Sequence, residues 1–212
     1  MSAAVATTAP AAAARDREAD ILDAALAVLA RDGIGGVTMR AVAREAEVSL
    51  GLANYYFTDK TSLVCAALRR IGEQDLEIVR PHDDGAADPR DCLRAALRRV
   101  GEHRYLEPRY LASRLQLWSL ATVDPAYDAI NRDAQRRYLD GLTALVHAAN
   151  PSLGLREAAR RAGEILVVQN GVWLTAAILD DRGALARSIE RCEQIALAPP
   201  TPPRARRRST AS

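Results

Sequence analysis

At 212 residues the chain is long enough for a small domain joined to a larger one, and its formal net charge of +2 rules out a polybasic surface that binds nucleic acid everywhere. Apolar residues make up 49% of the chain and aromatic ones 4%, without the alternating Val/Ile/Thr runs that make strands, so an all-α fold is expected. Cys65, Cys92 and Cys192 are odd in number and widely spaced in apolar helical surroundings, which points to reduced thiols packed in the core of a cytoplasmic protein.

Residues 1–14, MSAAVATTAPAAAA, lack the basic start and Leu-rich run of a secretion signal and read as a disordered tail. A first helix is expected from Arg15 to Arg31, with the stripe Ile21, Leu22, Ala25 and Leu29, and Gly33 ends it. The stretch Thr38–Lys60, TMRAVAREAEVSLGLANYYFTDK, then carries two short helices. Thr38 stands as N-cap before Met39, Val42, Ala43 and Ala46 at helical spacing, and Ser49 is a second N-cap before LGLANYYF. That second segment is too short to be stable alone and must pack on its predecessor. The pair is a helix-turn-helix, and with the first helix it closes a three-helix domain over residues 15–58.

Several groups in this stretch suit a phosphate backbone. A hydroxyl or N–H at the front of a helix bonds a phosphate oxygen readily, which fits Thr38 and Ser49; both equally fit plain caps. Gly51 inside a helix costs about 1 kcal/mol relative to Ala, so either DNA or the neighbouring helix approaches its backbone. Lys60 is the only lysine in the chain. Near a helix start it is unfavourable for the macrodipole, a cost that a bound phosphate would offset. Arg15, Arg17, Arg40 and Arg44 add local positive charge.

Read against T-x-x-x-I-A-x-x-A-G-V-S-x-G-x-x-Y-x-Y-F-x-x-K, most positions match, and the segment resembles the helix-turn-helix of TetR-family transcriptional regulators. The resemblance implies contacts to an operator from Thr38, Arg40, Ser49, Leu50, Gly51, Asn54, Tyr55, Tyr56 and Lys60. Two positions depart from the pattern. Glu47 stands where the family has glycine because the backbone there tends toward positive φ, so local strain is expected. Leu50 and Leu52 open the recognition helix in place of basic or amide groups, leaving base readout to thymine methyls and Asn54.

The fourth helix is expected from near Asp59 through Leu63, Ala66, Ala67, Ile71 and Leu76 to Pro81, joining the two domains as a lever. After the loop PHDDGAADP come Arg90–His103, Glu107–Val123, Pro125–Ala149, Leu155–Leu179 and Ala184–Leu197, nine helices in all. Residues 59–198 thus form a C-terminal bundle, and 199–212 a disordered basic tail. No segment reads as long and apolar enough to span a membrane. Ala158, Ala162, Ile165, Gln169, Val172 and Ala176 make one small-residue stripe, read either as a dimer face or as packing within the protomer.

More loosely, Tyr110–Ile178 resembles the BetI-type branch of TetR-family C-terminal domains. This implies a bundle that binds a small-molecule effector and forms a homodimer, with choline as the ligand known for that branch. Tyr110, Arg114, Trp118, Tyr127, Tyr138, Asn170 and Trp173 are the candidate pocket residues; the alternative is that the aromatics fill the core. No cofactor is expected. His82, His103 and His147 are scattered, and HExxH, GxSxG, paired CxxC and phosphate-binding glycine motifs are missing, so an enzyme is not expected. The run His82, Asp83, Asp84 reads as a solvated turn rather than a metal site. The expected function is a ligand-responsive repressor; the alternative is an all-α protein-interaction module without specific DNA binding.

Overall fold

The computed structural model describes residues 9–80, 88–179 and 181–199. Residues 1–8 of the expected tail, the His82-Asp83-Asp84 run and the C-terminal arginines lie outside them. Among the described residues there are ten helices and no strand: α1 (Ala9–Gly36), α2 (Met39–Glu45), α3 (Leu50–Tyr56), α4 (Lys60–Val79), α5 (Pro89–Arg99), α6 (His103–Leu106), α7 (Pro108–Ala121), α8 (Pro125–Ala149), α9 (Leu155–Leu179) and α10 (Arg182–Leu197).

Starts and stops follow the local chemistry. The Thr38 Oγ1 accepts from the Ala41 N–H at 3.0 Å, and the Ser49 Oγ from the Leu52 N–H at 3.1 Å. Asp59 and Ser62 form a reciprocal capping box at the head of α4. Proline follows the capping residue at the starts of α5, α7 and α8. Two boundaries differ from expectation. Helix α1 begins at Ala9 instead of Arg15, because the alanine run has the highest helix propensity available and extends the helix outward. The expected helix from Arg90 to His103 ends at Arg99, and residues 103–106 form the separate turn α6, which gives ten helices instead of nine. Gly33 interrupts α1 with φ 66°, as its position as a stop signal implies.

Two apolar clusters make the core. The first joins Ile21, Val28 and Leu29 of α1 to Val42, Phe57 and the first half of α4, and extends to Leu117 and Leu120 of α7. The second joins Ile78 and Val79 at the end of α4 to α5, α7, α8, α9 and α10. Helix α4 therefore belongs to both. It lies close against α8, where a Cβ at Gly141 would sit 2.8 Å from Val79 Cγ2 and one at Gly72 would sit 3.0 Å from Ala134 Cβ. A side chain at either position would force its neighbour to shift.

Buried arginines close the helix ends. Arg99 Nη1 donates to the carbonyls of Glu77, Ile78 and Arg80 at 2.9–3.2 Å, satisfying the end of α4. Arg161 donates to the carbonyls of Ala196, Ala198 and Pro199 beyond α10, and to Glu157 at 3.0 Å. Burial pushes the Cys192 thiol up to about 12, so this cysteine is packing material and an unreactive thiol.

Between the clusters, α4 and α7 share one buried ion pair. Asp75 meets Arg114 through Oδ2 and Nη2 and accepts the Tyr110 hydroxyl on Oδ1. Burial pushes the Asp75 carboxyl up, against the pull of Arg114 and of the Tyr110 and Arg114 hydrogen bonds. Burial likewise opposes the Arg114 charge, but Asp75 and Tyr110 outweigh it and hold the guanidinium protonated.

The α9 stripe of Ala158, Ala162, Ile165, Gln169 and Val172 is buried inside the protomer, against the reading of it as a dimer face. It faces α8 and α10 because those helices supply the small-residue approach. The same helix corrects the membrane expectation: Leu155–Leu179 is long and apolar enough to cross a membrane, with mean hydropathy 1.4 over its best window. Its hydropathy is high because both faces are apolar, one in the core and one outside, where Val167, Leu174 and Ile178 lie exposed.

Glu47 adopts φ 53°, the left-handed conformation expected at that turn. Glu47→Gly should raise stability in chemical denaturation by up to about 1 kcal/mol, since relief of the left-handed penalty exceeds the added unfolded-chain entropy. Arg114→Leu, which strands the Asp75 carboxylate, should cost about 3–5 kcal/mol, and adding Asp75→Asn should restore a large part of it in the same measurement.

Candidate nucleic-acid interface and effector site

The expected DNA-facing residues lie on or beside α2, α3 and the head of α4. Thr38, Arg40, Ser49, Leu50, Gly51, Asn54 and Tyr55 are all exposed, and the Tyr55 side reaches 81% exposure. An exposed tyrosine of this extent gains nothing from the core. Its ring meets Tyr56 edge-on, with centroids 5.4 Å apart, and Tyr56 in turn packs on the N-terminal cluster. The two tyrosines divide the work: Tyr56 anchors and Tyr55 projects.

Gly51 resolves its two readings. A Cβ there would meet only the Ser49 Oγ, 3.9 Å away, so no neighbouring helix requires the glycine. Thr38 and Ser49 serve as caps, each using a hydroxyl lone pair, which leaves the hydroxyl proton to donate outward. Lys60 differs from a plain surface lysine: its Nζ donates to the Ile34 carbonyl at 2.5 Å, tying the end of α1 to the head of α4. An ammonium has three donors, so this bond fixes its position and leaves two.

The same α1 is held from the other side by the bundle. Arg70 of α4 makes two 2.8 Å bonds to the Asp23 carboxylate, Arg109 donates to the Asp23 carbonyl at 3.0 Å, and Ser113 donates to the Leu26 carbonyl at 3.2 Å. Helix α1 is thus bonded to both α4 and α7.

Of the candidate pocket residues, five gather around the buried ion pair. The Arg114 guanidinium lies 3.6 Å from the Trp173 ring centroid, 5.4 Å from Trp118 and 5.7 Å from Tyr110. Tyr138 approaches from α8 and donates to Gln169 Oε1 at 2.9 Å. Its burial, more than any other cause, keeps that hydroxyl protonated, as it does for Tyr110. Asn170 sits half-buried on α9 beside this group in sequence, with its Oδ1 enclosed and without a hydrogen-bond partner. Tyr127 is elsewhere: it packs in the N-terminal cluster, with Thr61 as hydrogen-bond partner. It sits near the start of α8, far along the helix from Tyr138, and fills core.

Asp75 and Gln169 belong to the same centre and were not among the expected site residues. The signal was present, since each interrupts an otherwise apolar helical stripe: Leu68, Ile71, Gly72, Asp75, Ile78 on α4 and Ala162, Ile165, Gln169, Val172 on α9. A charge or amide in such a stripe is buried and must be paired.

Two open spaces adjoin these residues, and a third lies apart from them. A void of about 30 Å³ touches Asp75, Arg114 and Trp118, enough for one water. A cleft of about 420 Å³ opens between α1, α4 and α7, lined by Leu26, Ile71, Gln74, Tyr105, Tyr110 and Ser113. A groove of about 710 Å³ runs between α7 and the ends of α9 and α10, past Leu111, Leu115, Ala176 and Leu185.

Comparison with known proteins follows the same division. The family described as bacterial regulatory proteins, tetR family, matches residues 21–67, the end-to-end span of the helix-turn-helix and its flanks. An HTH-type transcriptional regulator BetI of Burkholderia lata is 31% identical over 175 residues, covering 80% of this chain and 88% of that protein. A transcriptional regulator of Pseudomonas aeruginosa shares the fold with TM-score 0.75 at 23% identity, over 85% of this chain and 88% of the other. A TetR-family member of Streptomyces coelicolor superposes with TM-score 0.64 at 27% identity, over 85% and 98%. Members of this family are non-enzymatic regulators that bind DNA. With the likeness extending from the helix-turn-helix through the bundle, the chain belongs to the TetR family of transcriptional regulators.

Proposed function

We propose that the protein is a repressor that binds a palindromic operator as a homodimer and is released when a small molecule binds its bundle. The observation that carries this reading is the outer face of α3. Leu50, Gly51, Asn54 and Tyr55 are each exposed, and among the described residues only the Ser49 side chain comes within 4 Å of a Cβ at the glycine. In the proposed complex Thr38, Ser49, Tyr55, Tyr56 and Lys60 hold phosphates, Arg40 adds charge, and Leu50 and Asn54 face base edges. The site of action is the cytoplasm, where the operator is.

The partner of the homodimer is proposed to pack on the outer face of α9. Gly163, Val167, Gly171, Leu174 and Ile178 follow one another at helical spacing, Val167 is 72% exposed, and a Cβ at either glycine would meet nothing within 4 Å. A contiguous apolar face with two glycines lets a second helix approach closely. Two recognition helices then meet successive major grooves about 34–36 Å apart.

Release requires an effector that prefers the non-binding conformation by about 5 kcal/mol, if it is to turn mostly bound protein into mostly free. The bonds from α4 and α7 to Asp23 and Leu26 supply the path.

A mobility-shift titration with the protein's own promoter region, at fixed salt and with competitor DNA, tests the reading. A specific shift at a palindrome is expected, and no specific shift on any flanking intergenic segment, with a folded dimer in hand, would overturn it. In that assay Tyr55→Ala should weaken binding about 10–100-fold, the loss of a hydrogen bond to a charged group, while leaving the melting temperature unchanged. Val167→Glu should shift the protein from dimer to monomer in sedimentation, since it places a charge at the centre of the proposed interface.

A further inference from the structure

The aromatic groups that would cage a ligand cation are already occupied. Arg114 fills the space among Trp173, Trp118 and Tyr110, and a cation–π site holding a guanidinium has no room or field for a quaternary ammonium. What the centre leaves unpaired is mainly donors. Arg114 and Trp173 are each nearly inaccessible, at 3% and 2% exposure. Arg114 Nε and Trp173 Nε1 are both enclosed donors without a hydrogen-bond partner among the described residues. The guanidinium carbon lies 3.6 Å from the indole centroid, so the two donors belong to groups in direct contact. Leaving two such donors unpaired in a low-dielectric interior is costly, and the cost disappears when an acceptor enters.

We propose that the effector is an organic carboxylate whose head group bonds Arg114 Nε and Trp173 Nε1 and takes Arg114 from Asp75. This rests on the reading of the bundle as an effector domain and names the chemistry of that effector. The body of the ligand lies in the cleft of about 420 Å³, against Leu26, Ile71 and the tyrosine rings and clear of the charged rim of Asp23, Glu77 and Glu107; Tyr110 and Ile71 form its wall toward the ion pair. Rotation of Tyr110 away from Asp75 joins the cleft to Arg114. The ligand then touches Leu26 of α1 directly, and α4 loses the bond that holds it to α7. An anion binds the opened state better than the closed one because Arg114 and Trp173 are enclosed in the closed one and are reached only once Tyr110 has turned aside, which is the differential affinity that release demands.

The two tryptophans of the chain, Trp118 and Trp173, both flank Arg114, so intrinsic fluorescence reports on this site alone. The dimer is titrated with benzoate, phenylacetate and octanoate, with the matching neutral amides, and with choline. Saturable change with at least one carboxylate, about tenfold or more weaker with its amide, and none with choline, is the expected result. Trp173→Phe keeps the ring and removes Nε1; it should weaken the carboxylate about tenfold, read from Trp118, with an unchanged melting temperature. Arg114→Lys keeps the charge without Nε and should weaken it as much. Saturation by choline, an equal response to acid and amide, an unaltered response in Trp173→Phe, or no saturation by any of the three acids in the millimolar range would each overturn the proposal. The titration needs no DNA and the mobility shift needs no acid, so failure of this inference and failure of the repressor reading are told apart.

Discussion

The bond between Asp75 and Arg114 sets the terms for the rest of the molecule. Neither charge is tolerable alone at that depth, so α4 and α7 must stay in register wherever both residues are buried. The surroundings are built to make the pair bearable: Tyr110 donates to the carboxylate, and three rings face the guanidinium. Two well-packed leucines would stabilise the same space at least as well. A charge pair has a property that leucines lack, namely that a competing ion can break it.

Around this bond the two apolar clusters are arranged so that α4 is shared. Its first half completes the core under the helix-turn-helix, and its last turns lie in the bundle, where Arg99 holds the final carbonyls. Helix α1 is fastened to α4 by Lys60 at one end and Arg70 at the middle, and to α7 by Arg109 and Ser113. The DNA-facing surface is therefore a rigid extension of α1 and α4. The family match spans these helices, and the exposure of Tyr55 says that its stabilisation of the fold is small.

The parts of the fold that could be read from residue order are those governed by short-range chemistry. Thr38, Ser49 and Asp59 cap helices because their side chains reach the next turn, and Glu47 turns left-handed because the two helices require it. The parts that could not be read depend on which face meets which. A stripe such as Ala162, Ile165 and Gln169 looks the same whether it packs on the same chain or on a second one; only the competing face at Val167 and Leu174 decides, and α9 is apolar on both. The aromatic residues of the bundle and Arg114 are recognisable as a group, but periodicity cannot say that the arginine pairs with an aspartate of α4. Tyr127 was misplaced for a related reason: it shares a helix with Tyr138, and distance along a helix separates them into different clusters.

The glycine contact between α4 and α8 has a mechanical consequence. At Gly72 the α4 backbone presents no side chain to the Ala134 methyl of α8, which would lie 3.0 Å from a Cβ there. Such a crossing works as a fulcrum: it permits tilting and resists separation. Lys60 lies about 18 Å along the helix from Gly72, so a tilt of roughly ten degrees there displaces the head of α4 by about 3 Å. In a two-fold assembly the two displacements add or cancel according to direction. A rotation too small to disturb the core around Gly72 is thereby large enough to put a pair of recognition helices out of step with a DNA groove.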